Sequence, residues 1–165
     1  MKLRAPEPSD LDTLYLWEND PETWRVSFND GPLSRHQLWQ YLDSYSPDIA
    51  TQGQIRLIIE HEGRPAGTID LTDYSARHRR AQVGLYIAPA FRRLGLAGEA
   101  MKMICTYARD ITGMHQLYAM TAVDNAAASA LLQLAGFATC GRLRSYLRLK
   151  SGSYTDVLIF QKILI

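Results

Sequence analysis

The 165-residue sequence predicts an α+β domain, a mixed α/β arrangement built on one sheet. Three observations carry that expectation. Apolar stripes recur at helical spacing near the start, alternating apolar runs of strand length fill the middle, and two such runs close the chain around the turn "KSGS". The length is about that of one average domain, and 47% apolar residues suffice for one ordinary core, so a single domain over residues 1–165 is expected.

Each element has its own signal. Lys2 to Ala5 is a short strand, and Ser9 with Asp12 makes a capping-box-like start to a helix that puts Leu11, Leu14 and Tyr15 on one face. Ser34 and Gln37 repeat that start. Leu38, Tyr41, Leu42 and Tyr45 follow at i, i+3, i+4 and i+7, which predicts a second helix from Arg35 to Tyr45. Gln54–Glu60 and Ala66–Leu71 read as strands joined by the turn "HEGRP", and residues 81–87, "AQVGLYI", as a third. Ala97, Ala100, Met101, Ile104, Ala108 and Ile111 then recur at helical spacing up to a stop at Gly113. "QLYAMTA" at 116–122 is a strand, "NAAASALLQLAGF" a short helix closed by Gly136, and the tail a hairpin.

Bulk properties exclude several classes. A net charge of +1 argues against a generally nucleic-acid-binding surface, and no apolar run reaches the roughly 18 residues that cross a bilayer. "MKLRAPEPSD" contains no signal-peptide core, and Cys105 and Cys140 lack CxxC or zinc spacing, which together favour a reducing cytoplasm. His36, His61, His78 and His115 are scattered, so no metal site is expected. Charge is uneven along the chain: residues 1–50 hold nine Asp and Glu against four Lys and Arg, a balance of −5, and the remainder holds 8 acids and 14 bases, a balance of +6. One half suits a cation and the other an anion.

The stretch "IAPAFRRLGLAGEAM", residues 87–101, runs from a strand through a small-residue turn into a helix. Such a turn is an anion site, because the first helical N–H groups have no intrahelical partner and the helix dipole favours negative charge there. A P-loop needs Gly-Lys-Ser/Thr, which "LGLAGEA" lacks, and a dinucleotide fingerprint needs G-x-G-x-x-G where this run has Gly95, Ala97 and Gly98. R-x-x-G-x-A does fit, at Arg92, Gly95 and Ala97. With N-x-x-x-S-x-x-L-x-x-x-G-F from Asn125 to Phe137 downstream, it resembles the acetyl-CoA signature of the GNAT superfamily of N-acetyltransferases. The likeness is closest to the branch of ribosomal-protein N-terminal acetyltransferases and spermidine acetyltransferases.

The resemblance implies a central, mostly antiparallel twisted sheet with a splayed strand pair, two helices after the first strand, and a C-terminal hairpin. It implies acetyl-CoA as cosubstrate, with backbone amides across Arg93, Leu94, Gly95, Leu96, Ala97 and Gly98 approaching the pyrophosphate and Arg92 and Arg93 adding charge. The strand ending at Leu85, Tyr86 and Ile87 would bulge, with Gly84 as a place for the bulge. Its unpaired backbone groups would meet the pantetheine arm and the thioester carbonyl. Asn125 reads as a helix N-cap from its position and as a coenzyme contact from the family, and Ser129 would lie near the sulfur.

Acetyl transfer needs a neutral amine, and an alkyl ammonium has a pKa near 10.4, so something must take its proton. Many family members carry Glu in the strand before the loop and Tyr in the last helix; Gln82 and Leu132 stand there. Ser129, then Tyr86, are the remaining candidates to serve the thiolate, and Glu18, Asp20 and Asp70 the candidates to hold an ammonium. The expected reaction is direct transfer to a primary amine, of a protein N-terminus or a polyamine. The alternative is an acyl-CoA-binding sensor with little catalysis. No nucleic-acid or membrane partner is expected, and a homodimer is among the assemblies open to the chain.

Overall fold

The structure is a computed structural model that describes residues 1–26 and 31–164, with the backbone alone described at 24–26. β1 (Lys2–Arg4) leads through a 3-10 turn at Pro8–Asp10 into α1 (Leu11–Glu18). The capping box lies at Glu7 and Asp10, earlier than the expected Ser9 and Asp12. The reason is Arg4, whose guanidinium donates to both Asp10 oxygens at 2.8 Å. Burial would push the Asp10 carboxyl up, but Arg4 and the Glu7 N–H outweigh it and hold it low.

α2 (Pro21–Val26) follows, and α3 (Arg35–Asp43) begins on the expected Ser34–Gln37 box, with Gln37 N–H donating to Ser34 Oγ at 3.1 Å. α4 (Ile49–Gln52) is a single short turn. The two expected helices are α1 and α3, and α2 and α4 are additions too short for periodicity to reveal. Thereafter come β2 (Ile55–His61), β3 (Arg64–Ser75), β4 (Arg80–Ile87), α5 (Leu96–Asp110), β5 (Gln116–Ala122), α6 (Ala126–Leu134), β6 (Ala138–Arg148) and β7 (Tyr154–Ile163).

Among the described residues the strands form one sheet in the order β1-β2-β3-β4-β5-β7-β6. Every pairing is antiparallel except β4 with β5, which the α5 crossover makes parallel. Alternation along the strands sends Ile59, Ile69, Leu71 and Val83 into one core with Ala100, Met101 and Ile104 of α5 and Leu132 of α6. Ile58 points the other way and meets Leu14 of α1 and Leu38 and Leu42 of α3. Helices therefore cover both faces of the sheet, α5 and α6 on one and α1 and α3 on the other.

The irregularity expected in β4 falls instead in β3. From Gly67–Ile87 to Thr72–Gln82 the β3–β4 register is unbroken, and it shifts only between Thr72 and Ser75, next to Asp73 at φ 48°. Gly84 pairs squarely with Asp70 and has room for a Cβ, 4.0 Å from that of Asp70. The glycine that the sheet requires is Gly67, where a Cβ would lie 2.1 Å from the Tyr86 carbonyl oxygen. Gly67→Ala is expected to push β4 outward and cost about 1–3 kcal/mol in denaturant unfolding, with coenzyme affinity falling alongside. Wild-type stability in that variant would show that the close approach is dispensable.

Candidate active site

The parallel seam between β4 and β5 is short. Arg80, Ala81 and Gln82 are in register with Gln116, Leu117 and Tyr118, and beyond Gln82 the two strands part. Ala88 N–H bonds Ala66 O on the β3 side at 2.9 Å, and backbone direction alternates every residue along a strand. Val83, Leu85 and Ile87 therefore turn their N–H and C=O groups toward β5, where no strand residue is in register with them. A buried strand edge left unpaired is costly, and an extended polar chain laid along it satisfies it. The sequence named Leu85 and Ile87 for this role, and the topology puts their polar groups there.

At the end of β4 a 3-10 turn, Pro89–Phe91, delivers the loop. Arg93 (φ 65°) and Gly95 (φ 77°) are both left-handed, which curls the backbone so that Gly95 becomes the N-cap of α5. The first helical bond is Glu99 N–H to Gly95 O at 3.2 Å, so the N–H groups of Leu96, Ala97 and Gly98 lie free of the helix ladder. Arg93, Leu94 and Gly95 are exposed, whereas the Leu96 side chain is in the core, so Leu96 offers a ligand only its backbone. Arg92 folds back and donates from Nε to Ile87 O at 3.1 Å, anchoring the loop to the strand end. Its other guanidinium N–H groups are exposed with the side chain.

α6 supplies the other wall. Asn125 is its N-cap, with Oδ1 accepting from Ala128 N–H at 3.1 Å, which leaves the amide NH₂ for another partner. One turn on, Ser129 Oγ is buried without a hydrogen-bond partner. An orphaned buried hydroxyl is uncommon in a native protein. Leu132, at the place of the customary tyrosine, is 5% exposed and part of the main core. Tyr86 does not join Ser129: it points to the α1 face, with its ring 5.4 Å from that of Trp17. Burial pushes its phenol up; the Asp20 and Glu18 charges add to this, and Thr23 and Arg92 oppose it.

On the α1–α3 face a cavity of about 500 Å³ is lined by residues that include Glu18, Gln37, Tyr41, Arg56, Asp70 and Thr72. Its ionic groups form one cluster. Arg56 donates from Nε and Nη2 to the two oxygens of Asp70 at 2.9 and 2.8 Å, and from Nη1 to Glu18 Oε1 at 2.6 Å. Burial works against the Arg56 charge, but the two carboxylates outweigh it and hold the guanidinium above its ordinary pKa. Burial drives the Tyr41 phenol up to about 12; Arg56 opposes this, and Asp70, Tyr45 and Glu18 reinforce it. Of the three acids considered for an ammonium, Glu18 and Asp70 meet here, bridged by Arg56. Asp20 does not line the cavity; its Oδ1 accepts from Glu22 N–H at 2.9 Å at the start of α2.

A strand seam opened toward its α5 end, an anion-binding loop on that helix and a polar cavity on the opposite face define an acyl-transferase that uses a phosphate-bearing acyl carrier. Comparison with known proteins agrees. Residues 1–138 match the family model described as the acetyltransferase (GNAT) domain, and the chain belongs to that family. It is an acetyl-CoA-dependent N-acetyltransferase by class. The chain is 28% identical over 143 residues to a spermidine N(1)-acetyltransferase of Escherichia coli K12, covering 87% of this chain and 75% of that one. It is 35% identical over 147 residues to an N-acetyltransferase of Bacillus subtilis, with 88% and 83% covered. The fold superposes with a TM-score of 0.89 on the spermidine N-acetyltransferase of Vibrio cholerae solved with CoA and spermine, at 24% identity over 99% of this chain and 95% of that one.

Sequence reasoning missed Arg56, Tyr41 and Gly67. Arg56 had a signal, being the one basic residue inside the apolar run "QIRLIIE"; its partners Glu18 and Asp70 are 38 and 14 residues away and become visible only through strand register. Arg56→Met is expected to strip Asp70 of its bidentate guanidinium partner and to cost about 3 kcal/mol at neutral pH. A half-buried carboxylate that has lost its cation binds a proton more readily folded than unfolded, so the deficit should shrink as pH falls toward about 4. Denaturant midpoints across that range check both statements, and a neutral-pH stability equal to wild type would remove the clamp from the account.

Proposed function

We propose that this chain transfers the acetyl group of acetyl-CoA directly to a primary amine in a ternary complex, with a polyamine as the acceptor. One observation carries the reading. β4 and β5 part beyond the Gln82–Tyr118 pair, and in the sheet register Gln82 stands beside Thr72, a residue of the Glu18–Arg56–Asp70 cavity. A donor laid along Leu85 and Ile87 and an acceptor in that cavity would converge on the vertex from opposite faces. In this complex Arg93 to Gly98 would hold the pyrophosphate, Arg92 would add charge and Asn125 would steady the pantetheine arm. Ser129 Oγ would donate a hydrogen bond to the departing thiolate, whose thiol pKa is about 8.5.

The carboxylates of Glu18 and Asp70 in the cavity wall support an acceptor that carries amines, and the spermidine acetyltransferases among its relatives support a polyamine over a protein N-terminus. Holding the two reactants in line itself supplies several kcal/mol toward the barrier, so the absence of a glutamate at Gln82 does not remove catalysis. The reading sets the chain in the cytoplasm, where thiols such as Cys105 and Cys140 stay free. A Vibrio cholerae relative is dodecameric, which supports self-association here, with a homodimer the simplest case.

Gln82 and Leu132 favour a second reading, a sensor that binds acetyl-CoA without turning it over, because neither side chain exchanges a proton. CoA release with spermidine, spermine and N-terminal peptides separates these readings. The expected result is polyamine-dependent release that exceeds release with peptides. Release only with peptides would move the acceptor to a protein N-terminus, and tight coenzyme binding with no release for any amine would establish the sensor.

A further inference from the structure

Gln82 carries no acid or base function, yet the vertex where it stands has a titratable group. Strand register sets Thr72, Gln82, Tyr118 and Gln161 in one row across β3, β4, β5 and β7. Partners in register share a face, so this row looks toward the acceptor side. Tyr118 is its one ionisable member, and it belongs to the last β5 pair before the strands separate. Its hydroxyl donates to Asp73 Oδ2. The same oxygen accepts from Arg80 Nη1 at 2.8 Å, and the Arg80 guanidinium lies 5.6 Å from the centre of the Tyr118 ring.

The position of Asp73 is unusual. In a regular strand, the residue after Thr72 points to the opposite face. Here the β3 irregularity and the left-handed backbone of Asp73 bring its carboxylate back to the side of Tyr118 and Arg80. Strained backbone of this kind clusters where it positions a functional group. Asp73 is also 59% exposed, so its proton exchanges with water directly. The charged groups facing Tyr118 are Asp73 and Arg80, while its β7 neighbour Gln161 is neutral and bonded to Gln116. Hydrogen bonds from Tyr118 and Arg80 hold the Asp73 carboxyl low, and burial together with Asp73 pushes the Tyr118 phenol up, so at rest the shared proton sits on Tyr118 and Asp73 is ionised.

We propose that Tyr118 and Asp73 are the proton path of this enzyme, taking over from the glutamate that Gln82 replaces. The inference rests on the acetyl-transfer reading. Tyr118 and Asp73 first relay one proton of the bound ammonium to water; the neutral amine nitrogen then attacks the thioester carbonyl carbon, and the C–N bond forms as the C=O pair moves onto oxygen. The N–H proton passes to the Tyr118 oxygen while the Tyr118 O–H proton passes to Asp73. The oxyanion collapses, the C–S bond breaks, and the thiolate leaves; Asp73 returns its proton to water and the thiolate gains one. Tyr118 thus ends as it began, and the sum is amide, free thiol and the one proton released from the ammonium.

The test uses the full chain with acetyl-CoA and the best amine of the panel. Tyr118→Phe is expected to lower kcat at least about 100-fold at neutral pH, the low end for general acid–base catalysis, with the KM for acetyl-CoA and the thermal midpoint unchanged. The deficit should narrow as pH rises, because hydroxide substitutes for the lost path. Asp73→Asn, whose amide tolerates the left-handed conformation, should reproduce that pH profile and covers the case in which Tyr118→Phe folds poorly. Wild-type kcat in Tyr118→Phe at neutral pH, or a loss equal at every pH, would overturn the proposal. If the wild-type chain releases no CoA with any amine, the acetyl-transfer reading falls and the proton path with it.

Discussion

β4 and β5 share three register pairs and then separate, and the rest of the molecule is arranged around that separation. The α5 crossover makes these two strands parallel neighbours, and α6 wedges its start against the open side with Asn125 and Ser129. Once the strands part, Leu85 and Ile87 have no β5 residue in register with them. Such a row of half-exposed backbone groups can be completed by an extended ligand. The left-handed turn at Arg93 and Gly95 then starts α5 just after the same row.

The acceptor face is organised by charge rather than by backbone. Arg56 fastens Glu18 of α1 to Asp70 of β3 and so fixes the first helix over the sheet. The clamp ties both carboxylates to one guanidinium, and a neighbouring cation favours the ionised form of a carboxylate and makes it a weaker base toward an amine. Gln82 cannot take the amine proton; Tyr118 is the ionisable member of its row of the sheet, and Asp73, at the β3 irregularity, accepts from the Tyr118 hydroxyl.

The geometry of the two helix starts was legible in the sequence, because it depends on residues whose small size or backbone freedom is visible locally. Arg92, Gly95 and Ala97 form one local cluster and Asn125 and Ser129 another, and the structure places Gly95 and Asn125 as the N-caps of α5 and α6. The acceptor side was legible only in part. Glu18 and Asp70 were picked out by their charge, but Arg56 gains its meaning from strand register across β2 and β3. The irregularity was expected at Gly84 and occurs at Asp73, since a glycine signals permission and the left-handed aspartate reflects tertiary hydrogen bonds to Tyr118 and Arg80. Gly67 looked like any strand glycine until Tyr86 was seen to approach it.

Amide hydrogen exchange along β4, with and without CoA, tests the central claim most directly. Leu85 and Ile87 should exchange fast in the free protein and slow by orders of magnitude when CoA is added, while Gly84 and Tyr86, turned to β3, should be slow throughout. Leu85 and Ile87 amides as slow as their neighbours without CoA, or unchanged by it, would contradict the account.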